Sequence, residues 1–161
     1  MKIHLLIFAY ICLFLSASCS DENVEKLYNH YRLPNAVVPK QYVLQLITHL
    51  DPEQSNAFQY NGNVIILSDI TEETNQIILH LRNLTIDEPE IKLKSLKYQD
   101  ENCITSTAVN SLHDYFILKT CKPLRAGDKY SLEIPFSGVL SSKLNGYYRS
   151  KYTDKKSGDE R

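Results

Sequence analysis

Histidine is the first residue type to consider for chemistry in this chain. A helical H-E-x-x-H motif would place two zinc ligands and a general base on one face. The sequence has five histidines, and none of them is followed by glutamate. They are His4, His30, His49, His80 and His113. The sequence therefore predicts no zinc centre of this type, no metal ligand and no catalytic residue.

Two of the histidines lie beside residues that suggest other roles. His113 precedes Asp114, but neighbours along a strand point to opposite faces, so they would not act as a base and its orienting group. His80 lies between Leu79 and Leu81, on the outward face of a predicted strand. For both histidines the pattern favours a surface or hydrogen-bonded structural role over a ligand role.

The remaining chemical candidates are an acidic cluster and the serines. Asp87, Glu88 and Glu90 surround Pro89, whereas calcium needs about six to eight oxygen ligands and usually a loop containing glycine. An acidic turn is therefore the favoured interpretation. No serine stands in a nucleophile elbow, and no glycine-rich phosphate loop is present.

Length and charge indicate a single ordinary domain. The 161 residues are 43% hydrophobic, which is enough for one core, and 18 basic against 19 acidic residues give a formal charge of −1. The charges are scattered, so no nucleic-acid partner is expected. Eleven tyrosines and no tryptophan fit a β-rich protein with half-buried rings.

The N-terminus has the pattern of an export signal. Lys2 and His4 precede an unbroken apolar run over residues 5–15, and small polar residues follow at 16–20. This run is shorter than the roughly 20 residues that a membrane-spanning helix needs. We interpret residues 1–20 as a secretory signal peptide, and we expect a secreted, extracellular chain without a membrane span.

The cleavage site and the leader after it follow from the same region. We expect cleavage between Ser18 and Asp21, and the polar residues 21–30 predict a flexible leader. The alternative is a bacterial lipoprotein signal with Cys19 acylated, but Ser16 stands where such signals favour an aliphatic side chain.

The cysteines agree with export. If cleavage removes Cys12 and Cys19, Cys103 and Cys121 remain, which is an even count for an oxidising compartment. They flank a predicted hairpin whose return strand covers residues 115–119. We predict a Cys103–Cys121 disulfide, the alternative being two separate buried thiols.

A glycosylation sequon, Asn83-Leu84-Thr85, follows the predicted strand at 77–81. In a secreted chain, this position at the end of a strand predicts a glycan on Asn83, which would make Asn83 a surface residue.

Short alternating segments dominate the rest of the chain. Tyr130, Leu132 and Ile134 alternate with Ser131 and Glu133, the pattern of a strand with one buried face. Similar short strands with turn residues between them extend over residues 42–136, without a long helical period. The fold class predicted is all-β, an antiparallel saddle-like sheet or sandwich.

Four segments in order carry a family resemblance over roughly 120 residues. They are residues 31–46, 58–66, 74–84 and 123–152. The last segment ends with the motif Gly146, Tyr147, Tyr148, Arg149 and Ser150. Together the segments resemble the first part of the N-terminal domain of aminopeptidase N-like zinc metallopeptidases, the gluzincins.

The resemblance implies a partial N-terminal β domain at residues 31–152, incomplete at its C-terminal end, with a polar tail at 153–161. In the family this domain packs on a thermolysin-like catalytic domain and does no chemistry. The full-length family binds zinc and holds the substrate amine through a methionine-glutamate-asparagine motif. The only methionine here is Met1, so we expect no cofactor and no removal of N-terminal residues from peptides by this chain alone.

Two functions remain open from the sequence. The chain is either a truncated product whose parent is a secreted aminopeptidase, or a stand-alone secreted binding module that uses an exposed sheet edge. The expected partner is accordingly a catalytic domain or another chain at that open edge.

Overall fold

The computed structural model describes residues 31–143 and 146–158, and within these ranges the regular secondary structure is β-strand apart from one short 3₁₀ turn. The predicted signal peptide and leader, residues 1–30, lie outside the described residues, as does the end of the predicted tail, 159–161. The strands described are β1 (Val37–Thr48), β2 (Gln59–Ile70), β3 (Thr74–His80), β4 (Thr85–Ile86), β5 (Lys92–Ser95), β6 (Glu101–Asn102), β7 (Ile104–Asn110), β8 (Tyr115–Leu124) and β9 (Lys129–Val139).

The strands form two antiparallel sheets, so the predicted all-β antiparallel fold class is confirmed. The larger sheet has six strands in the order β1-β2-β9-β5-β6, with the short β4 also paired to β9. The smaller sheet has the order β3-β8-β7. Every pairing between named strands is antiparallel.

The core lies between the two sheets. The larger sheet contributes Ile66, Leu93, Leu132 and Ile134, and the smaller sheet contributes Ile77, Phe116 and Leu118. All of them are buried, and each side chain stabilises the fold by about 1.5 to 3 kcal/mol relative to an exposed position. The inward residues of both sheets thus form one continuous apolar cluster.

Strand β9 lies at the centre of the larger sheet, and its sequence explains the position. Tyr130, Leu132 and Ile134 are buried as the alternation predicts, and Leu132 stands directly opposite Leu93 of β5. The predicted strand at 130–136 is longer in the structure, because β2 pairs with it from Lys129 to Val139. This pairing places β2 and β1 on one side of the sheet.

The disulfide ties the start of the β7–β8 hairpin. Cys103 and Cys121 are bonded, with their Cα atoms 5.4 Å apart. The amide N–H of Cys121 also donates to the carbonyl of Cys103 at 2.9 Å. The bond therefore closes the open end of the hairpin, as the even cysteine pair predicts.

Candidate functional site

An apolar groove of about 370 Å³ opens between the two sheets. The larger sheet lines it with Tyr42, Leu44, Val64, Ile134 and Phe136, and the smaller sheet with Leu79, His80 and Phe116. Residues Leu33, Ile66, Leu81, Leu84 and Ile86 complete the lining. Tyr42 and His80 are the only polar side chains in this set, so the apolar groove is suited to contact with another apolar surface.

Strand β1 forms the exposed wall of the apolar groove. Tyr42 and Leu44 face the groove and remain 59% and 55% exposed. On the opposite face Val43 and Ile47 are 42% and 66% exposed. Because successive residues of a strand point to opposite faces, β1 presents exposed apolar side chains on both sides.

The outer edge of β1 is also unpaired. β1 has 12 residues and pairs with β2 alone among the strands that the structure describes. A long edge strand with exposed apolar residues offers free backbone N–H and C=O groups to another strand. Large exposed apolar patches of this kind mark interaction surfaces.

The sequence pattern alone did not identify β1 as an exposed surface. The resemblance placed the opening strand within residues 31–46, whereas β1 extends from Val37 to Thr48. The signal was nevertheless present, because Tyr42, Val43 and Leu44 are consecutive apolar or aromatic residues. Such a run, unlike strict alternation, predicts apolar side chains on both faces of a strand.

The Gly-Tyr-Tyr-Arg-Ser motif lies beside the ends of β1 and β2. The hydroxyls of Tyr147 and Thr48 are 3.0 Å apart, and the Tyr147 ring packs edge-on against Tyr60 with centroids 5.1 Å apart. Burial and, to a smaller extent, Tyr147 raise the pKa of Tyr60. Gly146 has a φ of +65°, a conformation that favours glycine.

Arg149 fixes the same motif from its other end. Its guanidinium lies 3.9 Å from the centroid of the Phe58 ring, a cation–π geometry. Its amide N–H donates to the carbonyl of Ser141 at 2.9 Å, and the amide of Ser141 donates to the carbonyl of Tyr147 at 3.1 Å. The motif therefore contacts both Phe58, just before β2, and the end of β1, and so holds the segment after β9 beside these strands.

Gly138 shows how closely this region is packed. It stands directly opposite Tyr60, and a Cβ atom built on it would lie 2.4 Å from the Tyr60 hydroxyl oxygen. We therefore expect Gly138→Ala to lower the free energy of unfolding by about 1 to 3 kcal/mol, as overpacking does. Urea denaturation would measure the loss, and a smaller residue 60, as in Tyr60→Val, should recover part of it in a double-mutant cycle.

The matched control is Ser137→Ala, because Ser137 neighbours Gly138 and points to the other face of β9. This variant should change the free energy of unfolding by less than about 0.5 kcal/mol. Equal stability of Gly138→Ala and the unmodified chain would show that the Tyr60 ring is free to move away.

The two histidines singled out from the sequence contact one tyrosine. The His80 ring centroid lies 5.2 Å from that of Tyr115, and His113 stacks on the same ring at 5.5 Å. Tyr115 is buried, so both histidines help to cover it, which is a structural role. Within residues 31–143 and 146–158, no group of three His, Cys, Asp or Glu side chains is arranged to hold a metal ion.

The prediction that His113 and Asp114 lie along a strand is wrong. Both residues belong to the turn between β7 and β8, where Asp114 has a φ of +55°. Aspartate tolerates this left-handed conformation better than most residues. The Asp114 carboxylate pairs with Arg82 Nε at 3.7 Å, so it does not orient the histidine.

The acidic cluster and the sequon are both at the surface. Glu88–Glu90 forms a short 3₁₀ turn, and the exposed Glu88 carboxylate accepts a hydrogen bond from Thr107. This is the acidic turn that the sequence favours. Asn83 is exposed, and its neighbour Leu84 lines the apolar groove, so a glycan on Asn83 would stand beside the groove; its presence stays a prediction.

No helix in the described part of the chain is long and apolar enough to cross a membrane.

Known proteins and one family model are similar to this chain over nearly all of the described residues. The family model described as the Peptidase M1 N-terminal domain matches residues 38–161. Aminopeptidase N of Oryctolagus cuniculus is 30% identical over 141 residues, which are 86% of this chain and 14% of that relative. Aminopeptidase N of Canis lupus familiaris is 28% identical over 132 residues, 80% of this chain and 14% of the relative.

An insect protein is similar over the same region. Membrane alanyl aminopeptidase of Manduca sexta is 27% identical over 135 residues, 78% of this chain and 13% of that protein. The chain therefore spans about one seventh of the length of these relatives. The matched residues include all of the strands described, apart from the first residue of β1.

Proposed function

This chain belongs to the Peptidase M1 N-terminal domain family, and on that premise we propose that it is the non-catalytic β domain of an aminopeptidase N-like peptidase. In this role the chain docks on a catalytic partner through the apolar groove and strand β1. Removal of N-terminal residues from peptides would be the activity of the assembled enzyme. The domain contributes shape and contact area to that assembly.

The observation that carries the proposal is the exposed apolar surface of β1. Tyr42, Leu44 and Ile47 are each more than half exposed on a strand that pairs with β2 along one side only. A stable monomer rarely leaves such a surface in water, because covering it would gain roughly 25 cal/mol for each Å² of apolar area. A docked partner would supply that cover.

The chemistry of the groove supports docking over catalysis. Its lining contains one histidine and one tyrosine hydroxyl and no carboxylate, lysine or arginine. General acid–base or metal-assisted hydrolysis needs several such groups within hydrogen-bond reach of one another. The sequence, moreover, has no H-E-x-x-H motif.

Co-expression tests the docking proposal. The chain is produced together with aminopeptidase N of Oryctolagus cuniculus from which the corresponding segment has been deleted, and the relative's own segment serves as the positive control. We expect the chain to co-purify with the remainder, and Leu44→Glu to abolish co-purification because it places a charge in the groove wall. Leu112→Glu is the matched control, since Leu112 is 77% exposed outside the groove.

Two results would contradict docking through the groove. One is co-purification of the positive control alone. The other is equal loss in Leu44→Glu and Leu112→Glu, which would indicate a general effect of added charge. The melting temperature of each variant shows whether it is folded.

A second candidate function rests on the free edge of β1. A stand-alone binding module would add a partner strand there through backbone hydrogen bonds. The two functions differ in the behaviour of the isolated chain. A docking domain should bind a hydrophobic dye and self-associate at micromolar concentration, whereas a module adapted to stand alone should remain monomeric and melt in one cooperative step.

Export from the cell is part of the proposal. It is supported by the apolar run at residues 5–15, by the bonded pair Cys103 and Cys121, and by the exposed sequon at Asn83. Disulfides persist mainly in oxidising compartments. Recovery of the chain from the medium of a secreting host tests this part.

A further inference from the structure

A second cleft, of about 670 Å³, lies at the turn between β8 and β9. Its lining includes Glu73, Tyr98, Asp100, Arg125, Asp128 and Tyr130, and these residues define the Asp128 cleft. Asp128 follows Gly127, whose φ of +86° makes the tight turn. Asp128 is only 5% exposed, which is unusual for an aspartate at the end of a turn.

One oxygen of the Asp128 carboxylate has no partner. Oδ1 lies 3.3 Å from Nζ of Lys97, whereas Oδ2 is buried without a hydrogen bond. An ionised carboxylate accepts hydrogen bonds and cannot donate them. Leaving such an oxygen buried and unsatisfied costs several times the net gain of an ordinary hydrogen bond. The wall of the cleft therefore contains a carboxylate that lacks one of its hydrogen-bond donors.

Lys97 shows which kind of donor this environment accepts. Its ammonium lies 4.8 Å from the centroid of the Tyr98 ring and also contacts Asp128. One carboxylate oxygen and one aromatic face thus hold an ammonium of the chain itself. Asp128 and the rings of Tyr98 and Tyr130 line the cleft, so a cation in the cleft would meet the same two kinds of group.

Carboxylates outnumber cations in the lining of the cleft, with Glu73, Asp100 and Asp128 against Lys122 and Arg125. Burial, followed by the carboxylates of Asp128 and Asp100, raises the pKa of Tyr130, and Arg125 opposes these effects only in part. Lys122 and Arg125 are exposed, so water and salt screen their charges. The charge of Asp128 is screened less because it is buried.

We propose that the Asp128 cleft binds an organic cation, a primary ammonium or guanidinium group, with the Asp128 carboxylate as its main acceptor and the rings of Tyr98 and Tyr130 beside it. The cation is either a small free amine or a lysine or arginine side chain of a polypeptide. This site is independent of the apolar groove, because the two share no lining residue.

Calorimetric titration of the 161-residue chain tests the site, with agmatine and n-butylamine as the cationic probes and 1-butanol as a neutral probe of similar shape. We expect saturable binding of both cations and none of the alcohol. Asp128→Asn should weaken binding at least about tenfold, because a charge-assisted hydrogen bond is lost. Asp87→Asn is the matched control, since Asp87 is exposed and does not line the cleft.

Two further variants keep the test decisive if Asp128→Asn does not fold. Lys97→Met removes the competing ammonium and should tighten binding several-fold. Tyr98→Leu removes an aromatic face whose ring is 52% exposed, and it should weaken cation binding while the fold remains. Equal binding of butanol and butylamine, no binding of either cation, or unchanged binding in Asp128→Asn would overturn the proposal.

A blocked peptide with one internal arginine distinguishes the two sources of the cation. Tighter binding of the peptide than of agmatine would assign the site to a polypeptide side chain. Tighter binding of agmatine would assign it to a free amine.

Discussion

The purified 161-residue chain is expected to hydrolyse no aminoacyl-naphthylamide above the buffer rate, even with added zinc. The physical reason is that two histidine ligands and a general-base glutamate must lie one helical turn apart, and none of the five histidines precedes a glutamate. A zinc aminopeptidase assayed in parallel provides the positive control. We expect the control enzyme to hydrolyse the substrate at its catalysed rate, and this chain to show only the uncatalysed rate.

Contamination by a host peptidase is the main source of a false positive result. A chain with both His80→Ala and His113→Ala separates the cases, because it removes the two histidines that pack on Tyr115. Turnover from a contaminant would be the same in this variant. Chelator-sensitive turnover that survives purification and disappears in the variant would contradict the prediction, as would one equivalent of bound zinc by native mass spectrometry.

Loss of the disulfide should produce the largest change in stability. The bond joins cysteines 18 residues apart in sequence, and a closed loop of that size is worth about 3 kcal/mol in the chain-entropy model. We expect Cys121→Ala, and the double variant Cys103→Ala/Cys121→Ala, to lower the free energy of unfolding by about 2 to 5 kcal/mol. Urea denaturation of secreted material measures the change.

Peptide mapping without reduction gives the covalent evidence for the same prediction. Material from a secreting eukaryotic host should yield one peptide pair joined through Cys103 and Cys121, and a glycosidase-sensitive mass on the Asn83 peptide. Reduction of the unmodified chain should reproduce the lower stability of the double variant, whereas Lys119→Ala, at an exposed position of β8, should not. Recovery of both cysteines alkylated before reduction would rule out the bond.

Where the sequence succeeded, the signal was local. The alternation around Leu132 predicts a strand with one buried face, and Leu132 is buried. A period of two residues reports directly which side chains face the core. The ordered segments that resemble the peptidase family were equally visible, and the family match over residues 38–161 confirms them.

Where the sequence failed, the missing information was non-local. Residues 115–118 are all buried, so both faces of β8 are covered. A run of apolar residues does not show which other elements cover each face. His113 and Asp114 read as part of a strand because the positive φ of Asp114 depends on the hairpin that closes there. The burial of Asp128 is likewise invisible in the turn signal Gly127-Asp128.

The sequence by itself thus determined the all-β class, the cysteine pair, the absence of a helical zinc motif and the family, because each depends on residue types and short spacings. The tertiary structure alone decided that β3, β8 and β7 form a separate sheet. It also decided that the groove beside Leu44 stays open and that one oxygen of Asp128 is buried without a partner. These features depend on contacts between residues far apart in the chain. A local sequence pattern does not show which surfaces those contacts leave exposed.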